Sequence, residues 1–211
     1  MSGIKVLALD FDGVVLESVA VKDQAIFDLF EDVTVEERQR VLDLHRKTPG
    51  INRRDRIKML LTQGLGKEAT SDLVDNYLDR FARLVWDGLM NCSEVLGVRS
   101  FLEEVSRQMP CYVVSAAPQE EVRAVAEKRD FAGYFIDIFG TPPGKKERLE
   151  EIMLQENVTA QSVLFVGDKI SDYNAAKLVG TKFIGRNSVE SGTDFPEEVM
   201  VIDEFQTNLL S

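Results

Sequence analysis

Short apolar runs of strand length recur along this chain, and they stop on acids, serine or glycine rather than fading into polar sequence. Ile4–Leu9 meets Asp10, Cys111–Val114 meets Ser115, and Phe135–Phe139 meets Gly140. Val163–Val166 meets Gly167-Asp168, and Lys182–Ile184 meets Gly185. Strands that are apolar without alternation are those covered on both faces. Between the later runs, apolar residues recur at helical spacing: Val122, Val125 and Ala126; Leu149, Ile152 and Met153; Ala175, Ala176, Leu178 and Val179. Strands alternating with amphipathic helices predict an α/β fold with a doubly wound, Rossmann-like parallel sheet. Val199–Ile202 adds an expected edge strand.

The first run breaks this alternation. No strand signal appears between Gly13 and Cys111, a gap far longer than a single crossover needs. Helical stripes fill it: Ala25, Ile26, Leu29 and Phe30; Val41, Leu42 and His45; Leu73, Tyr77, Phe81 and Val85; then Val98, Phe101, Leu102 and Val105. The reading is a core domain of residues 1–15 and 90–211, with an all-helical insertion over 16–89. Open α/β sheets bind ligands at the C-terminal ends of their strands, where such an insertion would act as a lid.

Composition narrows the partners. With 25 Lys+Arg against 36 Asp+Glu the net charge is −11, which argues against nucleic acid or an anionic membrane as the main partner. No stretch approaches the roughly 18 apolar residues of a membrane span, and no signal peptide is visible. Cys92 and Cys111 form no metal or disulfide pattern, and His45 is the single histidine, too little for a His-rich metal site or a Ser/His/Asp triad. A cytoplasmic protein of ordinary globular composition is expected.

Four strand ends or helix starts carry residues suited to chemistry. Asp10 and Asp12, one residue apart, can project toward one cleft, with Gly13 allowing the turn beyond. Like charge should raise the pKa of one of them, separating a nucleophile from a proton donor; an Asp-rich turn is the plainer alternative. Ser115 can donate to a phosphoryl oxygen or cap the helix starting near Pro118. Lys145 and Lys146 sit in a first helical turn, where positive charge opposes the macrodipole, so an anion in the cleft would give one of them a use. Lys145 is the first choice and Lys146 the fallback, unless the neighbouring glutamates simply neutralise both. Asp168 and Asp172 offer hard oxygen ligands of the kind Mg²⁺ takes, while Ser171 or Asp172 could equally cap the following helix.

In this order, DFDG (10–13), the strand ending at Ser115, Lys145 and GDKISD (167–172) resemble the haloacid dehalogenase superfamily, mostly phosphatases and phosphomutases, across the whole chain. The helical insertion looks like the superfamily's helical cap. The resemblance implies that Asp10 attacks phosphorus to form an aspartyl-phosphate. Asp12 would protonate the leaving oxygen and then deprotonate the attacking water. Ser115 and Lys145 would hold phosphoryl oxygens, with Gly13 and Ala116 as neighbouring substrate-binding positions. Mg²⁺ would be held by Asp10, the Asp12 carbonyl and Asp168, supported by Asp172. The strand ending at Val166 and the strand ending at Val114 would flank the first strand.

A bound phosphate brings roughly two negative charges, which together with these acids exceed what Mg²⁺ and Lys145 return. Residues 45–58, HRKTPGINRRDRIK, carry six Lys+Arg and one Asp and are the candidate source of further positive charge, or else a salt-bridged surface. Gly50–Asp55 is similar to a cap segment of β-phosphoglucomutases in which an arginine meets substrate phosphate; Arg53 takes that position. Glu17-Ser18 also looks like the acid–hydroxyl pair of that group. The mutases' cap-hinge histidine corresponds to Lys22, which favours hydrolysis over sugar-phosphate transfer. The expected function is a Mg²⁺-dependent phosphatase for a small phosphorylated metabolite. A mutase and a non-catalytic phosphate binder are the alternatives. A receiver domain uses similar residues but has no long helical insertion.

Overall fold

The protein is described from a computed structural model, in which residues 3–48, 51–188, 195–207 and 209–210 are described. Pro49 and Gly50 of the basic segment lie outside the described residues.

The first strand, β1 (Val6–Leu9), is wholly buried. Next come α1 (Val19–Leu29), α2 (Val35–Arg46), α3 (Arg53–Met59), a π-helical turn at Leu60–Gly64 and α4 (Ser71–Asn91). The chain continues through α5 (Val98–Val105), β2 (Cys111–Pro118), α6 (Gln119–Lys128), β3 (Asp137–Thr141) and α7 (Lys145–Glu156). It ends with β4 (Val163–Gly167), α8 (Ile170–Val179), β5 (Lys182–Arg186) and β6 (Val201–Ile202). The six strands form one sheet in the order β3-β2-β1-β4-β5-β6, and every neighbouring pair is parallel. β1 is central, with β2 and β4 on its two sides, so the strand order reverses there.

The apolar strands bury both faces. Val6 and Ala8 join Tyr112, Val114, Val163 and Phe165 in one cluster under Leu149 and Ile152 of α7 and Ala175 and Ala176 of α8. Leu7 and Leu9 alternate to the opposite face and are equally inaccessible.

Two compact units result: Met1–Val19 with Cys92–Ser211, and Ala20–Asn91. Residues 16–19 side with the sheet unit because Leu16 bridges to Glu94 and the Glu17 amide donates to the Ser93 carbonyl at 2.9 Å. The second unit is all helical. Phe30 and Tyr77 meet with ring centroids 5.1 Å apart, and α4 buries Val74, Tyr77, Phe81, Val85 and Leu89. α2 opens on a capping box between Thr34 and Glu37.

Three local readings are corrected. Leu178, expected on the buried stripe of α8, is 73% exposed, because Ala175 and Ala176 make the contact with the sheet. β3 begins at Asp137 rather than Phe135, after a 3₁₀ turn at Ala132–Tyr134 that leaves Ile136 exposed. Val74 rather than Leu73 is the buried residue at the start of α4. Cys111 is buried and Cys92 half-buried, and both are free thiols.

Candidate active site

The site lies within the sheet unit, at the C-terminal ends of β1, β2 and β4 and the N-terminus of α7. The Asp10 amide donates to the Val166 carbonyl at 2.8 Å, so the β1–β4 pairing holds the backbone of the first acid. Its Oδ1 accepts from the Phe11 amide at 2.6 Å, and its Oδ2 accepts from Lys145 Nζ at 2.5 Å. The same ammonium donates to Asp172 Oδ1, also at 2.5 Å. Asp172 is the third residue of α8, and its other oxygen accepts from the Lys169 amide at 3.0 Å. It therefore closes the helix start and meets the Lys145 ammonium at once, so the capping role and the contact with the acid cluster coexist. Gly167 makes this approach possible, since a Cβ there would stand 2.3 Å from the Asp172 Cβ.

The two lysines part company. Lys145 turns into the acids, whereas Lys146 pairs with Glu150 at 2.9 Å on the surface. Lys145's opposition to the helix dipole is offset by two carboxylates; Lys146 has the mundane partner that sequence left open.

Asp12 is buried in a tight turn in which the amides of Val14, Val15 and Leu16 all point to the Phe11 carbonyl, at 3.4, 2.9 and 3.2 Å. Its Oδ1 accepts from Ser18 Oγ at 2.6 Å. Gly13 has φ +74°, and a Cβ there would fall 2.3 Å from Asp168 Oδ2, so both backbone and space require glycine. Asp168, at the end of β4, is buried and accepts from Ser188 Oγ at 3.3 Å.

Ser115 is buried, and its Oγ accepts from the Ala117 amide at 3.0 Å. Strand β2 continues to Pro118, which starts α6 without a side-chain cap, so Ser115 is not the helix cap. Its hydroxyl proton is left to donate. Ala116 is exposed beside it. Arg53 belongs to the helical unit, where it is half-buried with its guanidinium 5.7 Å from the Phe81 ring centroid. Much of the basic segment is internally satisfied there. Arg46 and Arg54 pair with Asp23 and Asp75, and Arg56 donates to the Thr48 and Ile51 carbonyls.

Burial pushes the Asp10 carboxyl up to about 7, against the pull of Lys145, with Asp172 and Asp168 adding to the rise. Burial likewise raises Asp168. Lys145 moves upward despite its burial, because Asp10 and Asp172 hold its charge. The like-charge effect expected between Asp10 and Asp12 instead comes to Asp10 from Asp172 and Asp168, while the Asp12 carboxylate engages Ser18.

Asp10, Asp168 and Asp172 each bring a carboxylate oxygen within 4.8 Å of the others. Three buried hard oxygens against the charge of Lys145 are a donor set that fits a small divalent cation. Sequence reasoning missed Arg186 and Ser188, both buried at the end of β5. The signal was available: they follow an apolar strand at the same sheet edge as the four motifs.

Comparison with known proteins gives the family of the chain. The model of the haloacid dehalogenase-like hydrolases matches residues 7–186, and the chain belongs to that family. It is 28% identical over 192 residues to a phosphoglycolate phosphatase of Vibrio parahaemolyticus, covering 86% of this chain and 83% of that one. The structure of a protein of Haemophilus somnus described as a predicted phosphoglycolate phosphatase aligns with a TM-score of 0.78 at 19% identity, over 100% of this chain and 98% of the other. A HAD-hydrolase of Bacillus subtilis solved with bound magnesium aligns at 0.73 and 18% identity, over 95% of each chain.

Proposed function

We propose that the protein is a Mg²⁺-dependent phosphatase that hydrolyses a small phosphorylated metabolite through an aspartyl-phosphate on Asp10. The observation that carries this reading is the Lys145 ammonium shared between Asp10 and Asp172 beside the buried Asp168. Such a cluster can receive a phosphoryl group next to a nucleophilic oxygen. The relative named phosphoglycolate phosphatase and the magnesium-bound neighbour support it.

Asp10 is the nucleophile, and its Oδ2 is already oriented by Lys145. Asp12 gives a proton to the leaving oxygen and later takes one from water; its hydrogen bond from Ser18 holds the carboxyl in place for both transfers. The Ser115 hydroxyl and Lys145 donate to the phosphoryl oxygens as charge moves onto them. Asp10, the Asp12 carbonyl and Asp168 would hold Mg²⁺, with Asp172 in support, and when bound the ion neutralises the approaching phosphate. The helical unit, with Arg53, is assigned to substrate selection.

The test is phosphate release from a panel of phosphomonoesters, phosphoglycolate and sugar phosphates included, with Mg²⁺ or with EDTA. Turnover is expected only with the metal, and Asp10→Asn should lower it by at least about 1,000-fold, the scale of removing a nucleophile. Turnover that persists in EDTA or in the variant would overturn the reading. Isomerised sugar phosphate without released phosphate would point to a mutase.

A further inference from the structure

We propose that Arg186 and Glu17 form a positioning pair that fixes the turn carrying Asp12 and Gly13. The activity part of this proposal rests on the hydrolase reading above.

Strand β5 lies two places from β1 in the sheet, yet the side chain at its end reaches the turn that follows β1. Arg186 is 3% exposed. Its Nη1 donates to the Gly13 carbonyl at 3.0 Å and to Glu17 Oε2 at 2.7 Å, while Nη2 pairs with Glu17 Oε1. Nε and Nη2 also point to the Asp203 carbonyl, at the long distance of 3.4 Å. The guanidinium thus holds both ends of the 13–17 stretch. Within the turn itself, amides gather around the Phe11 carbonyl, the Gly13 amide donates to the Leu16 carbonyl, and Ser18 holds the Asp12 carboxylate.

Stability alone is a poor reason for such a group. Burying the guanidinium sacrifices its hydration, and an apolar residue of similar volume is often as stabilising. What an arginine supplies is geometry: a planar fork making two parallel bonds to a carboxylate with a further donor in the same plane. One of its contacts falls on the carbonyl of Gly13, the residue after Asp12. Two residues on, Ser188, also buried, donates to Asp168. One short stretch at the end of β5 therefore braces the turn after β1 and the acid at the end of β4. Gly13 and Asp168 have no slack between them, as the 2.3 Å from a Gly13 Cβ to Asp168 Oδ2 makes plain. If the turn shifts, Asp12 and Asp168 lose register.

The test combines hydrogen exchange across residues 11–18 with steady-state kinetics, on Glu17→Gln, Glu17→Asp and Arg186→Lys. Glu17 is about a third exposed, so its variants keep the fold even if Arg186→Lys does not. The expected result is exchange faster by about tenfold, confined to 11–18, in Glu17→Gln. kcat on the best panel substrate should fall about tenfold for Glu17→Gln and about 100-fold for Arg186→Lys, with KM within about twofold of wild type. Glu17→Asp, which keeps the charge, should recover part of the loss. Wild-type exchange and kcat in folded variants would overturn the proposal, as would protection lost evenly across the sheet. If the wild-type protein turns over no phosphomonoester, the hydrolase reading fails and exchange alone decides the pair.

Discussion

Lys145 Nζ stands 2.5 Å from an oxygen of Asp10 and an oxygen of Asp172, all three groups being nearly inaccessible to water. Removing the ammonium leaves two buried carboxylates that can relieve their repulsion only by taking up a proton. Lys145→Met should therefore cost at least about 100-fold in phosphate release, the scale of losing a preorganised donor to the transferring group. Lys146→Met removes only an exposed pair one helical turn long, so it should leave turnover within about twofold and the urea unfolding midpoint essentially unchanged. Equal losses in the two variants would mean that Lys145 is a structural counter-charge and not a phosphate ligand. The sequence showed two lysines working against a helix dipole but not which one turned inward. Neighbouring residues on a helix point about 100° apart, and which direction is the cleft depends on how α7 docks on the sheet. Asp10, Asp12, Asp168 and Asp172 were easier to find, because each follows directly from the end of a strand or the start of a helix. Arg186 escaped notice because its role comes from a turn 169 residues away, joined to it only by the sheet order.

Elements were legible where burial was total. β1, the Cys111–Val114 part of β2, and β4 have continuous apolar sequence because nothing about them faces water, and α5 buries the same Val98, Phe101, Leu102 and Val105 that its spacing marks out. Where an element is half covered, periodicity identifies the helix and not its contact line: the spacing predicts Leu178 inside, and it lies outside. The basic segment shows the same limit: its charge was plain, but its pairing is a property of how α1, α2, α3 and α4 pack. His45 of α2 illustrates what that packing does. Arg56 Nη1 of α3 lies 2.7 Å from Nδ1, and a guanidinium can only donate, so Nδ1 accepts and the imidazole proton sits on Nε2 toward Asp23 of α1, 3.4 Å away. Burial and Arg56 push its pKa down to about 4, with Arg46 and Lys22 in the same sense and Asp23 opposing. Since the unfolded chain takes the proton more readily, the neutral ring's contribution is complete above pH 6.5 and is lost as pH falls toward 4. After allowance for partial solvent screening it is about 2 kcal/mol. Urea titrations at pH 7 and pH 4.5 should show His45→Gln losing less stability than wild type on acidification by about this amount. Parallel losses would mean that the ring is protonated in the folded protein.

At the scale of the whole molecule, a net charge of −11 sits on a fold that also buries Asp10, Asp168 and Asp172 at one sheet edge. Two electrostatic penalties therefore coexist, and they answer to different ions. Repulsion between surface carboxylates is spread over distances comparable with the Debye length, about 8 Å at physiological ionic strength, so sodium chloride screens it without needing a site. The buried cluster is beyond the reach of screening; Lys145 offsets part of its charge, and a cation that enters it offsets more. Thermal unfolding in EDTA should thus shift upward modestly with added sodium chloride in wild type and in Asp168→Asn alike. At matched ionic strength, Mg²⁺ should raise the wild-type midpoint further. Saturation at 100 times the dissociation constant contributes about 2.7 kcal/mol to any protein that binds only when folded. That corresponds to about 5–10 °C for a chain of this size. Asp168→Asn should lose this extra increment while keeping the sodium response, because it removes one oxygen donor and leaves the surface charge almost unchanged. If Mg²⁺ and sodium chloride act equally on the wild-type protein, the three acids do not form a cation site. Lys145 would then be the cluster's main compensation, and the anion it attracts would have to arrive without a metal.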